Sequence, residues 1–239
     1  MNDLENVRII IKKDKNIQKY LKDNSFKNLR YSNFGFIAVL PEFVLKHYIG
    51  KDFFVAHGIN FDPGDFFLRE RDNYRTIKEK SDILIPEFDY YKTIKIPYKL
   101  EIAKIENIRT NTKVESFLDL GMEGILSLIQ KFHKIKEEGD KYFIHGNIHP
   151  TNFYLKDSRI GMFDFMYCKL DYKEIDLARI IIYTDYNFDF LRKLKDLYKN
   201  SLNKKILAYY VKKHTVENYK YSKDIDSIRK MKNILDLVL

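Results

Sequence analysis

The chain has 239 residues, 45% of them hydrophobic, enough to bury a core in one domain or in two packed lobes. A single cysteine, Cys168, excludes an internal disulfide and a cysteine-built zinc site, and fits a reducing, cytoplasmic setting. The formal charge of +9 is spread as lysine along the whole chain. It reads as a solvated surface, or as attraction to phosphate-bearing ligands, anionic lipid or RNA. No apolar run reaches the roughly eighteen residues a membrane span needs, and the opening MNDLENVRII predicts no signal peptide. Nothing in the sequence bears on oligomeric state.

In chain order, the β-branched stretch Val7 to Ile11 predicts a short strand. Leu29 to Leu40 predicts two strands around the turn cluster Ser32-Asn33-Phe34-Gly35, and Glu42 to Ile49 another. Asp62-Pro63-Gly64-Asp65 is a helix start signal. The face that follows carries Phe66, Phe67, Glu70, Tyr74 and Ile77 at helical spacing. Glu70 is the one polar member, so it needs a buried cation, and a lysine on a neighbouring strand would serve. Ile94 to Ile105 predicts a strand pair ending near Ala103, with a connector over residues 102 to 108.

The second half reads as mostly helical. Ile125, Leu128, Ile129 and Phe132 line a helix expected to stop near Glu138-Gly139. Tyr142 to Ile144 is a short strand, and Phe153 to Leu155 with Ile160 to Phe163 predicts a hairpin around Lys156-Asp157-Ser158-Arg159. Helices follow over Glu174 to Thr184, Phe190 to Tyr198, Lys204 to Lys213 and Asp224 to Leu237. The expected class is α+β and bilobal, with a β-rich N-terminal lobe over 1–105 and an α-rich C-terminal lobe over 106–239.

The segment His145 to Phe165 reads HGNIHPTNFYLKDSRIGMFDF. It sets Asn147, Asn152 and Asp164 on two short segments flanking a tight turn. A phosphoryl-transfer site needs that layout: a loop residue facing the nucleophile, with an amide and a carboxylate to hold the metal. HGNIHPTN followed by MFDF resembles the HGDxHPxN and IDF motifs of the aminoglycoside and choline phosphotransferases, within the protein-kinase-like superfamily. The short length is also similar to that of the lipopolysaccharide sugar kinases.

The resemblance implies ATP and Mg²⁺ in a cleft between the lobes near Lys46, Asn152 and Asp164. Asn152 and Asp164 match the metal ligands. Lys46 matches the strand lysine that reaches the nucleotide phosphates, and Glu70 the helix glutamate that holds it. Ser32 to Phe36, with its one glycine Gly35, takes the place of the phosphate-covering loop, although a plain hairpin turn explains it equally well. The connector around Glu101 to Ala103 would meet the adenine through backbone groups. His145 packs beneath the loop and Asp176 braces it through backbone hydrogen bonds. The acceptor would be a small hydroxylated molecule: a sugar, an amino-alcohol, or an aminoglycoside-like or lipopolysaccharide-type compound.

Asn147 stands where the resemblance places a catalytic aspartate. An amide does not take a proton at neutral pH, and a general base contributes about 10²–10⁴-fold. Positioning and charge neutralisation carry most of phosphoryl transfer, so an enzyme that uses Asn147 to orient the acceptor is one reading. A pseudokinase that keeps the fold as a nucleotide-binding or scaffolding module is the alternative, and binding of RNA or an anionic membrane through the basic surface is a third.

Overall fold

A computed structural model describes residues 3–32, 34–60, 64–108, 112–114, 116–199, 201–222 and 224–238. The chain divides into two units, Met1–Arg75 with Pro86–Thr110, and Thr76–Ile85 with Asn111–Leu239. No helix among the described residues is long and apolar enough to cross a membrane.

The first unit is built on an antiparallel sheet of β1 (Leu29–Tyr31), β2 (Gly35–Val39), β3 (Phe43–Ile49), β4 (Phe88–Lys95) and β5 (Lys99–Glu106), in the order β1-β2-β3-β5-β4. Helices α1 (Asp3–Lys13), α2 (Lys15–Asp23) and α3 (Lys51–Ala56) join it, and the first turns of α4 (Phe66–Lys80) belong to the same unit. The strand expected at Val7 to Ile11 is instead part of α1. Val7 and Ile11 are fully buried while Arg8 and Ile9 are exposed. That is an i, i+4 stripe, so burial against the core outweighed β-branched propensity. Val7 and Ile11 share that core with Phe53, Phe54 and Leu100. Asp14 begins α2 by accepting from the N–H groups of Asn16 and Ile17, both at 2.9 Å.

Gly35 opens β2 where the backbones of β2 and β3 come close. A Cβ there would overlap the carbonyl oxygen of His47, so strand approach alone requires glycine. The expected start signal of α4 falls partly outside the described residues, at Asp62 and Pro63. The predicted face is otherwise as found: Phe67, Glu70, Tyr74 and Ile77 are buried and Phe66 is half-buried. Phe67 and Tyr74 meet the Phe88 ring of β4 at 6.3 and 4.5 Å.

The second unit holds α5 (Met122–His133), α6 (Glu174–Tyr183), α7 (Phe188–Leu197), α8 (Lys204–Ser222) and α9 (Ile225–Val238). Two small sheets accompany them. One runs β10-β9-β6, from Arg159–Met162, Phe153–Lys156 and Thr112–Lys113; the other runs β11-β8-β7, from Lys169–Asp171, Lys141–Ile144 and Glu137–Glu138. The β9–β10 hairpin turns on Asp157 and Ser158 at φ 51° and 60°. Two successive left-handed residues match the twist of such a hairpin. Helix α5 stops at His133, earlier than expected, because Glu137 and Glu138 pair with β8. Helix α8 runs on to Ser222, past the expected end at Lys213.

Candidate active site

In the first unit, β3 alternation sends Lys46 and Tyr48 to one face and His47 to the other. The Lys46 ammonium lies 3.0 and 2.8 Å from the two carboxylate oxygens of Glu70. The Tyr48 hydroxyl donates to the same carboxylate at 2.7 Å. Glu70 is fully buried and the Lys46 side chain is 16% exposed. A carboxylate that deep needs a cation and further donors, and it has both. Among the described residues His47 has no counter-charge. Its ring stacks on Phe36 at 4.2 Å and sits 3.2 Å from both the Tyr20 hydroxyl and the Leu45 carbonyl. Burial pushes its pKa down to about 4.

In the second unit, the HGN loop hangs from Asp176. The buried carboxylate accepts from the backbone N–H of His145 at 2.8 Å and of Gly146 at 2.9 Å. Gly146 has φ 74°, and a Cβ there would press on the Tyr167 carbonyl, so both conformation and space demand glycine. The His145 ring is the second fastening. Asn147 N–H donates to its Nδ1 at 3.3 Å, which places the ring hydrogen on Nε2 for donation to the Phe163 carbonyl at 3.0 Å. Burial holds the His145 pKa below the usual imidazole range, against the opposing charge of Asp176.

Two further bonds join the amide segment to the acid. Phe163 N–H donates to the Asn152 carbonyl at 3.0 Å, and Asn152 Nδ2 donates to the Asn147 carbonyl at 3.0 Å. The second uses the donor end of the Asn152 amide and leaves its side-chain carbonyl as the end available for a cation. Asp164, immediately after Phe163, adopts left-handed φ 67°, ψ 58°. That conformation is uncommon outside glycine and concentrates at functional sites. Asn147, Asn152 and Asp164 are thus fastened as one assembly.

No family model and no curated protein matches the sequence. Solved structures do match the fold. The choline kinase LicA from Streptococcus pneumoniae superposes with a TM-score of 0.54 at 12% identity, over 94% of this chain and 98% of that one. The streptomycin–ATP–APH(2″)-IIa ternary complex gives 0.58 at 10%, over 92% and 97%. The ADP-bound aminoglycoside phosphotransferase APH(2″)-Ib gives 0.53 at 12%, over 93% and 97%. The chain has the protein-kinase-like fold of the choline and aminoglycoside kinases.

Within this kinase-like fold, Glu101 and Ala103 are placed otherwise than expected. They lie inside β5, which pairs with β3 on one edge and β4 on the other. Their backbone groups are engaged by the sheet and cannot face an adenine; β5 continues to Glu106, so a connector starts later. Gly35 stands at the start of β2, where the close β3 backbone accounts for it. The loop network also contains a residue that sequence reasoning missed. His133, at the end of α5, reaches Asp176 through Nε2 at 3.2 Å and the Tyr198 hydroxyl through Nδ1 at 3.1 Å. These partners are 43 and 65 residues away, and nothing local marks the position.

Proposed function

We propose that the protein is a nucleotide-dependent phosphotransferase acting on a small hydroxylated acceptor. The observation that supports this most directly is the fastened assembly of Asn147, Asn152 and left-handed Asp164 in a kinase-like fold. An amide carbonyl and a carboxylate form a hard-oxygen pair that suits Mg²⁺. Among the described residues no three His, Cys, Asp or Glu side chains cluster as a metal cage. A divalent ion held by Asn152 and Asp164 therefore needs nucleotide phosphates and water to complete its shell, as Mg²⁺ in nucleotide sites does. When bound, the ion supplies neutralisation of phosphate charge.

The chain's own residues carry the other roles. Lys46, paired with Glu70, would hold the nucleotide phosphates. Asn147 would orient the acceptor hydroxyl by hydrogen bonding, without removing its proton. Titrating the protein with ATP and Mg²⁺ while following the melting temperature and ADP release tests the reading. Wild type is expected to bind and to turn over slowly, and Asp164→Ala and Lys46→Ala each to lose both. Absence of any nucleotide-dependent shift in wild type rejects the proposal.

Asn147 favours a second reading, a nucleotide-binding module without turnover. The Asn147→Asp variant separates the two. For an enzyme impaired only at the base position, a carboxylate there raises turnover by about 10²-fold or more. For a binding module, nucleotide affinity persists and turnover stays at background in both forms.

A further inference from the structure

Helix α6 presents Asp176, Arg179 and Tyr183 at i, i+3 and i+7, a single helical face. Both ends of that face are fixed against the HGN loop. Asp176 accepts from His145 and Gly146, and the Tyr183 ring meets the His149 ring edge-on at 4.6 Å. Arg179 lies between these two contacts. Its guanidinium has no ion pair or hydrogen bond among the described residues, and its Nε is buried without a partner. Arg179 is half-buried and keeps its charge, so a guanidinium with an unpartnered Nε stands on this face.

The Asp176 carboxylate on the same face is engaged by the His145 and Gly146 N–H groups and by His133, and Asp164 and Glu217 also act on the neighbouring imidazoles. The Arg179 charge helps hold three imidazoles, His145, His149 and His214, below their usual pKa, with burial the larger cause in each. His149 adds a donor. Thr151 N–H donates to its Nδ1 at 3.2 Å, so the hydrogen of the neutral ring is on Nε2, which has no partner among the described residues. His149 is two positions beyond Asn147 and three before Asn152.

We infer that Arg179, assisted by the Nε2–H of His149, receives an anionic group, a carboxylate or a phosphate, carried by the acceptor molecule. The inference rests on the phosphotransferase reading and names its substrate class: a hydroxylated acid or phosphate ester in place of a cationic amino-sugar or amino-alcohol. A planar guanidinium offers paired donors that match either oxyanion.

The test measures affinities of the full chain for D-glucuronate, glucose 6-phosphate, inorganic phosphate, glucose and glucosamine, with ATP–Mg²⁺ titrated in parallel. Wild type is expected to bind glucuronate or glucose 6-phosphate at least about tenfold more tightly than glucose or glucosamine, and Arg179→Gln to abolish that preference. ATP–Mg²⁺ affinity should stay unchanged in the variant. The carboxylate and phosphate arms decide which oxyanion is preferred. Arg179→Lys and His149→Gln, expected to keep part of the preference, provide the same readout if Arg179→Gln fails to fold.

The inference is overturned if no anion binds selectively, if glucosamine is preferred, if the preference survives Arg179→Gln, or if that variant weakens ATP–Mg²⁺ instead. Selective, Arg179-dependent anion binding without any ATP–Mg²⁺ binding would uphold the anion site and remove the phosphotransferase reading. The converse result would do the reverse.

Discussion

Glu70 and Asp176 are both fully buried helix carboxylates, one in each unit. Glu70 is satisfied by side chains, an ammonium and a phenol. Asp176 is satisfied by two backbone N–H groups and an imidazole. The difference follows from what each holds. A lysine stem is flexible, and a counter-charge fixes where its ammonium rests. A loop is fixed only by its backbone, and a carboxylate accepting two successive N–H groups sets both position and peptide orientation. The first device aims a charge; the second shapes a chain.

The sharpest way to break this contrast is Asp176→Ala. It strands a buried and a part-buried N–H group and His133 together, at roughly 1–3 kcal/mol for each unsatisfied group, so a loss of about 4 kcal/mol is expected in urea unfolding. Amide exchange at His145 and Gly146 should speed up with it. If those amides stayed protected, the loop would be held by something other than Asp176. Lys46→Met comes next. Leaving Glu70 buried without its cation costs about 3 kcal/mol after allowance for the partly exposed ammonium. Lys46→Met with Glu70→Leu should recover most of that loss, because two apolar groups leave no stranded charge. A double variant no more stable than Lys46→Met would show that the pair does not act as a unit.

Sequence reasoning reached these two carboxylates by different routes. Glu70 was legible from local pattern alone: a charge within an apolar helical stripe demands a cation, and the structure supplies Lys46 at 2.8 Å. Asp176 was legible only through the resemblance, since its partners come from other segments. The kinase-like fold was legible because the HGNIHPTN segment and its hairpin are contiguous in the chain. The helix at Val7 to Ile11 was misread because β-branched residues favour strands until a core face at i, i+4 outweighs them. Glu101 and Ala103 were misplaced because the end of β5 depends on pairing across the sheet, which the β5 stretch does not state. Arg179, inside EIDLARIIIY, gave no signal: that its buried Nε finds no partner among the described residues exists only in three dimensions.

Two smaller effects refine the comparison within β3 itself. His47 is buried next to Lys46 in the chain with no counter-charge among the described residues, so its protonation should be coupled to unfolding. Its folded pKa of about 4 lies below the ordinary 6.5. The unfolded chain therefore takes up a proton between these values that the folded chain refuses. Stability is complete above pH 6.5 and falls as pH drops toward 4, by about 1.4 kcal/mol per pH unit. Urea titrations at pH 7 and 5.5 should differ by about 1 kcal/mol more in wild type than in His47→Leu; equal slopes would mean that the imidazole is not buried in solution.

Tyr48→Phe is the mildest change. It removes one donor from Glu70 and keeps the ring that packs on Phe67 at 5.5 Å. Lys46 continues to satisfy the carboxylate, so the loss should be about 1 kcal/mol, the net worth of a single hydrogen bond. Made in the Lys46→Met background, the same change should cost more, because the carboxylate has by then already lost its ammonium partner. That non-additivity is what a shared buried partner predicts. Additive losses would mean that Lys46 and Tyr48 serve Glu70 independently, and the side-chain brace would then be two separate contacts.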